Sequence, residues 1–96
     1  MLVEYTNCFV KDIKTIKDKK ILNQLKEFIE MVKCAPNLKS FKNIHSVKQF
    51  KGYKNYYRSR VRNYRAGIKV KNNIVTFVRF LHRKDMYKYF PILNWK

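Results

Sequence analysis

Tyr56-Tyr57-Arg58-Ser59-Arg60-Val61-Arg62-Asn63-Tyr64-Arg65 is the stretch of this chain best equipped to do chemistry. It holds four of the six arginines, and the other two are Arg79 and Arg83. Arginine is planar, permanently charged and rich in donors, so a cluster of it suits bidentate contact with phosphate. Tyrosine adds a flat face on which an unstacked base can lie. Interleaved in this way, the two residue types point to RNA.

The rest of the composition narrows the field. The chain has 96 residues and a net charge of +17, which favours nucleic acid, an anionic surface or an acidic protein. Residues 1–48 carry 10 Lys/Arg against 5 Asp/Glu, and residues 49–96 carry 13 against 1, with Asp85 the single acid. Lysine alone would describe a solvated helix face, as with the lysines at 11, 14, 17, 19 and 20. Arginine with tyrosine and almost no acid is the stronger signal. At 46% hydrophobic and 16% aromatic, the chain is too apolar for a disordered basic tail. Cys8 and Cys34 have no metal-like spacing and read as reduced thiols. Met1-Leu2-Val3-Glu4-Tyr5 lacks a signal peptide's pattern, and no apolar run reaches membrane-spanning length. The expectation is a cytoplasmic protein with no membrane partner.

A single domain over residues 1–96 must position the basic run. Leu2–Tyr5 reads as a first strand, and Thr6 or Asn7 caps a helix bearing Phe9, Ile13 and Ile16. Asp18 caps a second helix with an apolar stripe of Ile21, Leu22, Leu25, Phe28, Ile29 and Val32. Ala35-Pro36-Asn37 ends this hairpin. Leu38, Phe41 and Ile44 suit a helical turn or two before a lysine-rich loop with Gly52. Tyr56–Val61, Tyr64–Lys71 and Ile74–Leu81 then alternate as strands, joined at Arg62-Asn63 and Asn72-Asn73. A short helix over Lys84–Phe90 follows, stopped by Pro91. The expected fold class is α+β: a small antiparallel sheet of the N-terminal strand and the C-terminal meander. The helical hairpin packs on one face, and a short C-terminal helix follows.

Two-residue turns fix a register. Val61 pairs with Tyr64, Arg60 with Arg65, and Arg58 with Gly67, so Arg58, Arg60, Arg65 and Lys69 share one face. Tyr57, Ser59, Val61, Tyr64, Ala66, Ile68, Val70, Val75 and Phe77 share the other, which receives the helices. Arg60 opposite Arg65 is a like-charge pair, and Gly67 leaves a space opposite Arg58. Close cations beside a gap make sense if an anion fills it. The plainer alternative is a solvated strand face whose charges guard against aggregation.

With Lys51-Gly52, the basic run and Leu81-His82-Arg83-Lys84-Asp85-Met86-Tyr87 in one chain, the sequence resembles the RelE/ParE superfamily. Its members are the small toxins of bacterial type II toxin–antitoxin pairs. The resemblance to its RelE branch implies a ribosome-dependent endoribonuclease that cuts mRNA in the A site. The 2′-hydroxyl attacks the adjacent phosphate, with no metal or small-molecule cofactor. By motif position it implies catalytic roles for Arg58, Arg60, Arg65, Arg83 and Tyr87. It also implies a small acidic antitoxin beside the ribosome and mRNA as partners.

One departure matters. The branch often has lysines where this chain has Arg58 and Arg60, and arginine keeps its proton, so it makes a poor general base. His82 or Tyr87 is therefore the candidate for handling a proton, since histidine titrates across neutral pH. Each also has a packing explanation, His82 as a cap and Tyr87, with Tyr89 and Phe90, as core. Lys51, Lys54, Tyr56, Arg62, Lys69 and Lys84 complete the expected RNA-binding set. The competing functions are a ParE-like DNA gyrase inhibitor and a non-catalytic RNA- or rRNA-binding module.

Overall fold

The computed structural model describes residues 1–90. Strand β1 (Leu2–Tyr5) runs directly into α1 (Asn7–Lys14). Thr6 is the cap, its hydroxyl accepting from the Phe9 N–H at 3.1 Å; such caps satisfy donors the first helical turn leaves open. The Asp18 carboxylate accepts from the Lys20 N–H at 2.9 Å and starts α2 (Lys19–Cys34). Ile21, Leu25, Phe28 and Val32 are the buried stripe of α2, spaced to lie on one side of a 3.6-residue helix. Asn37 caps α3 (Leu38–Lys42), where Phe41 is fully buried.

The meander has the expected limits almost residue for residue: β3 (Tyr56–Val61), β4 (Tyr64–Lys71) and β5 (Ile74–His82). Positive φ occurs at Arg62 in the first turn and at both Asn72 and Asn73 in the second. The register is also as expected, with Val61 opposite Tyr64, Arg60 opposite Arg65 and Arg58 opposite Gly67.

Two features of the sheet differ from expectation. A short strand, β2 (Val47–Gln49), pairs antiparallel with β3 in what reads as a loop. Three residues are too few for an alternating pattern to stand out. Strand β1 lies parallel to β5, so the five-stranded order β1-β5-β4-β3-β2 is mostly antiparallel. Parallel neighbours need a long crossover, and the helices and meander between β1 and β5 supply one.

Helices α1, α2 and α3 cover one face through Phe9, Ile21, Leu25, Phe28, Val32 and Phe41. They bury Tyr57, Ser59, Val61, Ala66, Ile68, Val70, Val75 and Phe77 of the sheet, with Tyr64 half-buried. The last helix, α4 (Arg83–Tyr89), lies on the opposite face, where Met86 and Phe90 pack with Phe50 and Val78. Pro91, the expected helix stop, and the Tyr89 side chain lie outside the described residues.

A β-bulge makes room for α4. Gly67 faces Arg79 but its neighbour Ile68 faces Phe77, which leaves Val78 as the extra residue of β5. Bulges free backbone groups from the ladder, and α1 takes them up. The Asp12 carboxylate accepts from the Phe80 N–H at 2.9 Å, and the Thr6 hydroxyl donates to the Val78 carbonyl at 2.7 Å. Asp12 also accepts from the Arg79 Nε at 2.8 Å. Arg79 is thus tied to the scaffold.

Candidate phosphate-binding site

On the face opposite the helical hairpin, the strands carry two rows of side chains. Lys48 of β2, Arg58 of β3 and Gly67 of β4 stand side by side in one row. Arg60 of β3 and Arg65 of β4 form the next, and the Arg60 N–H donates to the Ser46 carbonyl at 3.3 Å. Ser46, Lys48, Arg58, Arg60, Arg65 and Tyr87 together line one open recess of about 210 Å³. Three of the four sheet cations were legible from the strand pattern. Ser46 and Lys48 were not, because they belong to the short edge strand.

Each arginine is held differently. The Arg65 Nη1 donates to the carbonyls of Arg62 and Tyr64, at 3.0 and 2.9 Å. Its guanidinium is fixed on the turn while its other nitrogens stay available for a ligand. Arg58 lies over the rings of Phe50 and Tyr87, 5.2 and 5.9 Å from their centroids, an attraction between cation and ring quadrupole. Arg60 is exposed.

The cluster is electrostatically uneasy. Arg65 is held below its ordinary pKa, first by burial and then by Arg60 and Arg83, with Arg58 adding to the effect; Tyr87 acts the other way. Like charges on directly opposed strand positions cost up to about 1 kcal/mol per pair. An anion with several oxygens relieves all of these repulsions at once.

Tyr87 stands on α4 with 70% of its surface exposed. Met86 and Phe90 do the packing instead, so the helix presents Tyr87 to the recess rather than to the core. Arg83, at the start of α4, is exposed and close enough to act on Arg65, but it is not part of the recess lining.

Two expectations need correction. The space opposite Arg58 is filled from within: a Cβ on Gly67 would meet the Phe90 ring at 2.8 Å. Gly67 therefore seats α4, and the anion-sized opening lies beside it, between Arg58, Arg60 and Arg65. His82 pairs with Tyr64 and its ring meets the Tyr64 ring edge-on at 5.6 Å, on the face away from Arg65. Its Nδ1 accepts from the Lys84 N–H at 3.2 Å as the cap of α4. The bulge at Val78 shifts the alternation of β5 by one and turns His82 away from the recess.

The remaining basic residues spread around the rim. Lys51 and Lys54 are exposed in the β2–β3 loop, Arg62 in the turn and Lys84 on α4. Lys69 shares the face of Arg58, but its Nζ lies 5.8 Å above the Tyr56 ring, away from the recess. Tyr56 also packs edge-on against Tyr53 and Phe90, so it belongs to the α4 cluster and is no open platform for a base.

A family model described as the ParE toxin of the type II toxin–antitoxin system parDE matches residues 3–87. Toxin RelE3 of Methanocaldococcus jannaschii is 43% identical over 91 residues, covering 95% of this chain and 100% of that protein. The chain belongs to the RelE/ParE superfamily. It is a RelE-like toxin of the type II toxin–antitoxin class. A chain of the RelB–RelE antitoxin–toxin complex from Methanococcus jannaschii superposes with a TM-score of 0.75 at 40% identity, covering 92% of this chain and 99% of that one. YafQ from E. coli reaches a TM-score of 0.68 at 18% identity, covering 88% and 96%, and at that identity shares the fold alone. The family resemblance and the α+β fold read from the sequence are both borne out. Among the described residues of this RelE-like toxin, no helix is long and apolar enough to cross a membrane.

Proposed function

We propose that this RelE-like toxin is a ribosome-dependent endoribonuclease that cuts mRNA in the A site. The 2′-hydroxyl attacks the neighbouring phosphate and the 5′-oxygen leaves. One observation carries the reading: Arg58, Arg60 and Arg65 converge with Tyr87 on a single open recess. Phosphoryl transfer is accelerated mainly by positioning and by stabilising charge on the equatorial oxygens. Three guanidinium groups serve both ends. Tyr87 donates a proton to the departing 5′-oxygen, because it lines the recess and His82 faces the other way. Arg83, Lys51, Lys54, Arg62 and Lys84 hold flanking RNA or rRNA phosphates around the rim.

A cytoplasmic location and a small acidic antitoxin belong to the same proposal. A similar chain is found in a RelB–RelE complex, and a net charge of +17 would speed association with an acidic partner. The matching ParE model favours a second reading, a DNA gyrase inhibitor on the same scaffold. Expression of the native chain separates them. Translation should stop and mRNA ends should map inside codons, whereas accumulating gyrase–DNA breaks would establish the second reading. Tyr87→Phe should lower cleavage of ribosome-bound mRNA by roughly 10²–10⁴-fold, the usual worth of a general acid. Cleavage at the native rate would remove Tyr87 from the chemistry. A chain that binds ribosomes in a salt-dependent way yet never cuts would be a non-catalytic RNA-binding module.

A further inference from the structure

An in-line phosphoryl transfer involves two proton movements, one from the attacking hydroxyl and one to the leaving oxygen. Tyr87 can serve one of them in a turnover. A second group in the recess could serve the other, and guanidinium keeps its proton in proteins. Apart from Tyr87 and the arginines, the recess is lined by Ser46 and Lys48. The Ser46 hydroxyl is committed to the buried Ser59 hydroxyl at 2.8 Å.

Lys48 remains. It stands directly opposite Arg58 in the β2–β3 register, its side chain is exposed toward the recess, and it enters from the sheet edge while Tyr87 enters from α4. Among the described residues, no carboxylate lies within ion-pair distance of it. Unlike guanidinium, an amine can release and accept a proton. We propose that Lys48 is the general base of this reaction, an assignment that rests on the endoribonuclease reading.

The Lys48 Nζ takes the proton of the 2′-hydroxyl as that oxygen forms its bond to phosphorus. The bond from phosphorus to the 5′-oxygen breaks, and the leaving oxygen takes the Tyr87 proton. The products are a 2′,3′-cyclic phosphate and a 5′-hydroxyl end. Lys48 then loses its proton to solvent and Tyr87 regains one, so the site is restored with no change of oxidation state.

Lys48→Arg and Lys48→Met, compared with the native chain, test this by single-turnover cleavage of ribosome-bound mRNA across pH. The expected result is a loss of about 10²-fold or more for both variants. Lys48→Arg should do no better than Lys48→Met although it keeps the charge, and the rising limb of the native pH–rate profile should vanish. An unchanged melting temperature for Lys48→Arg would show that the fold is intact. Native-like rate and pH profile for Lys48→Arg would overturn the proposal and leave Lys48 as a charge that holds phosphate. If the native chain itself leaves ribosome-bound mRNA whole, the endoribonuclease reading fails, and the base assignment falls with it.

Discussion

The two faces of strands β3 and β4 are built from alternate residues of the same segments, yet they obey opposite rules. On the helix-packed face, Tyr57, Val61, Ala66, Ile68 and Val70 vanish into one core with Phe9, Phe28 and Phe41. The buried Ser59 hydroxyl is paired with Ser46. On the other face, Lys48 opposes Arg58 and Arg60 opposes Arg65. Burial of apolar area stabilises the first face by about 1.5–3 kcal/mol per large side chain. The second costs stability through like-charge pairing. Structure that works against folding yet is kept in a single recess is where a ligand is expected.

The comparison predicts a division of mutational effects, and the largest belongs to the core. Phe77 is fully buried and meets Tyr5, Phe9 and Phe28 through ring contacts. Phe77→Ala should cost about 3–5 kcal/mol of folding stability by leaving a cavity. Urea unfolding measures it. The fraction still folded should cleave at the native rate, since Phe77 belongs to the helix-packed core and does not line the recess; a lower rate per folded molecule would break the separation of the faces.

Gly67→Ala crosses the divide. Its Cβ would meet the Phe90 ring at 2.8–2.9 Å, and forcing a methyl group into a packed site costs about 1–3 kcal/mol. Phe90 directly follows α4, so a shift of its ring is expected to disturb the helix that carries Tyr87. Cleavage should therefore fall further than the stability loss explains, in contrast to Phe77→Ala. Equal losses would show that α4 positions nothing. The same glycine shows where sequence reading ends. Two-residue turns and strict alternation made the meander, its register and three of the recess cations legible. The gap at Gly67 was legible too, but its occupant comes from a helix on the open face that strand spacing cannot foresee. His82 was misplaced for a related reason: one extra residue in β5, accommodated by Thr6 and Asp12 of the distant first helix, reverses the side on which later residues fall. Lys48 escaped notice because Val47–Gln49 is too short to show a period.

The smallest effect discriminates most sharply. Arg60 is exposed and stands directly across from Arg65, and its side chain supports no packing in either apolar cluster. Arg60→Gln removes one member of the opposed pair, so it should raise stability by up to about 1 kcal/mol while lowering cleavage. The gain should shrink as salt screens the exposed charge. Inorganic phosphate should act unevenly as well. A ligand that binds only the folded state stabilises it by mass action, so phosphate should raise the Tm of the native chain more than that of Arg60→Gln. If the variant is instead less stable, or gains as much from phosphate as the native chain, the opposed cations are ordinary solvated charges, and the open face is no more strained than the rest of the surface.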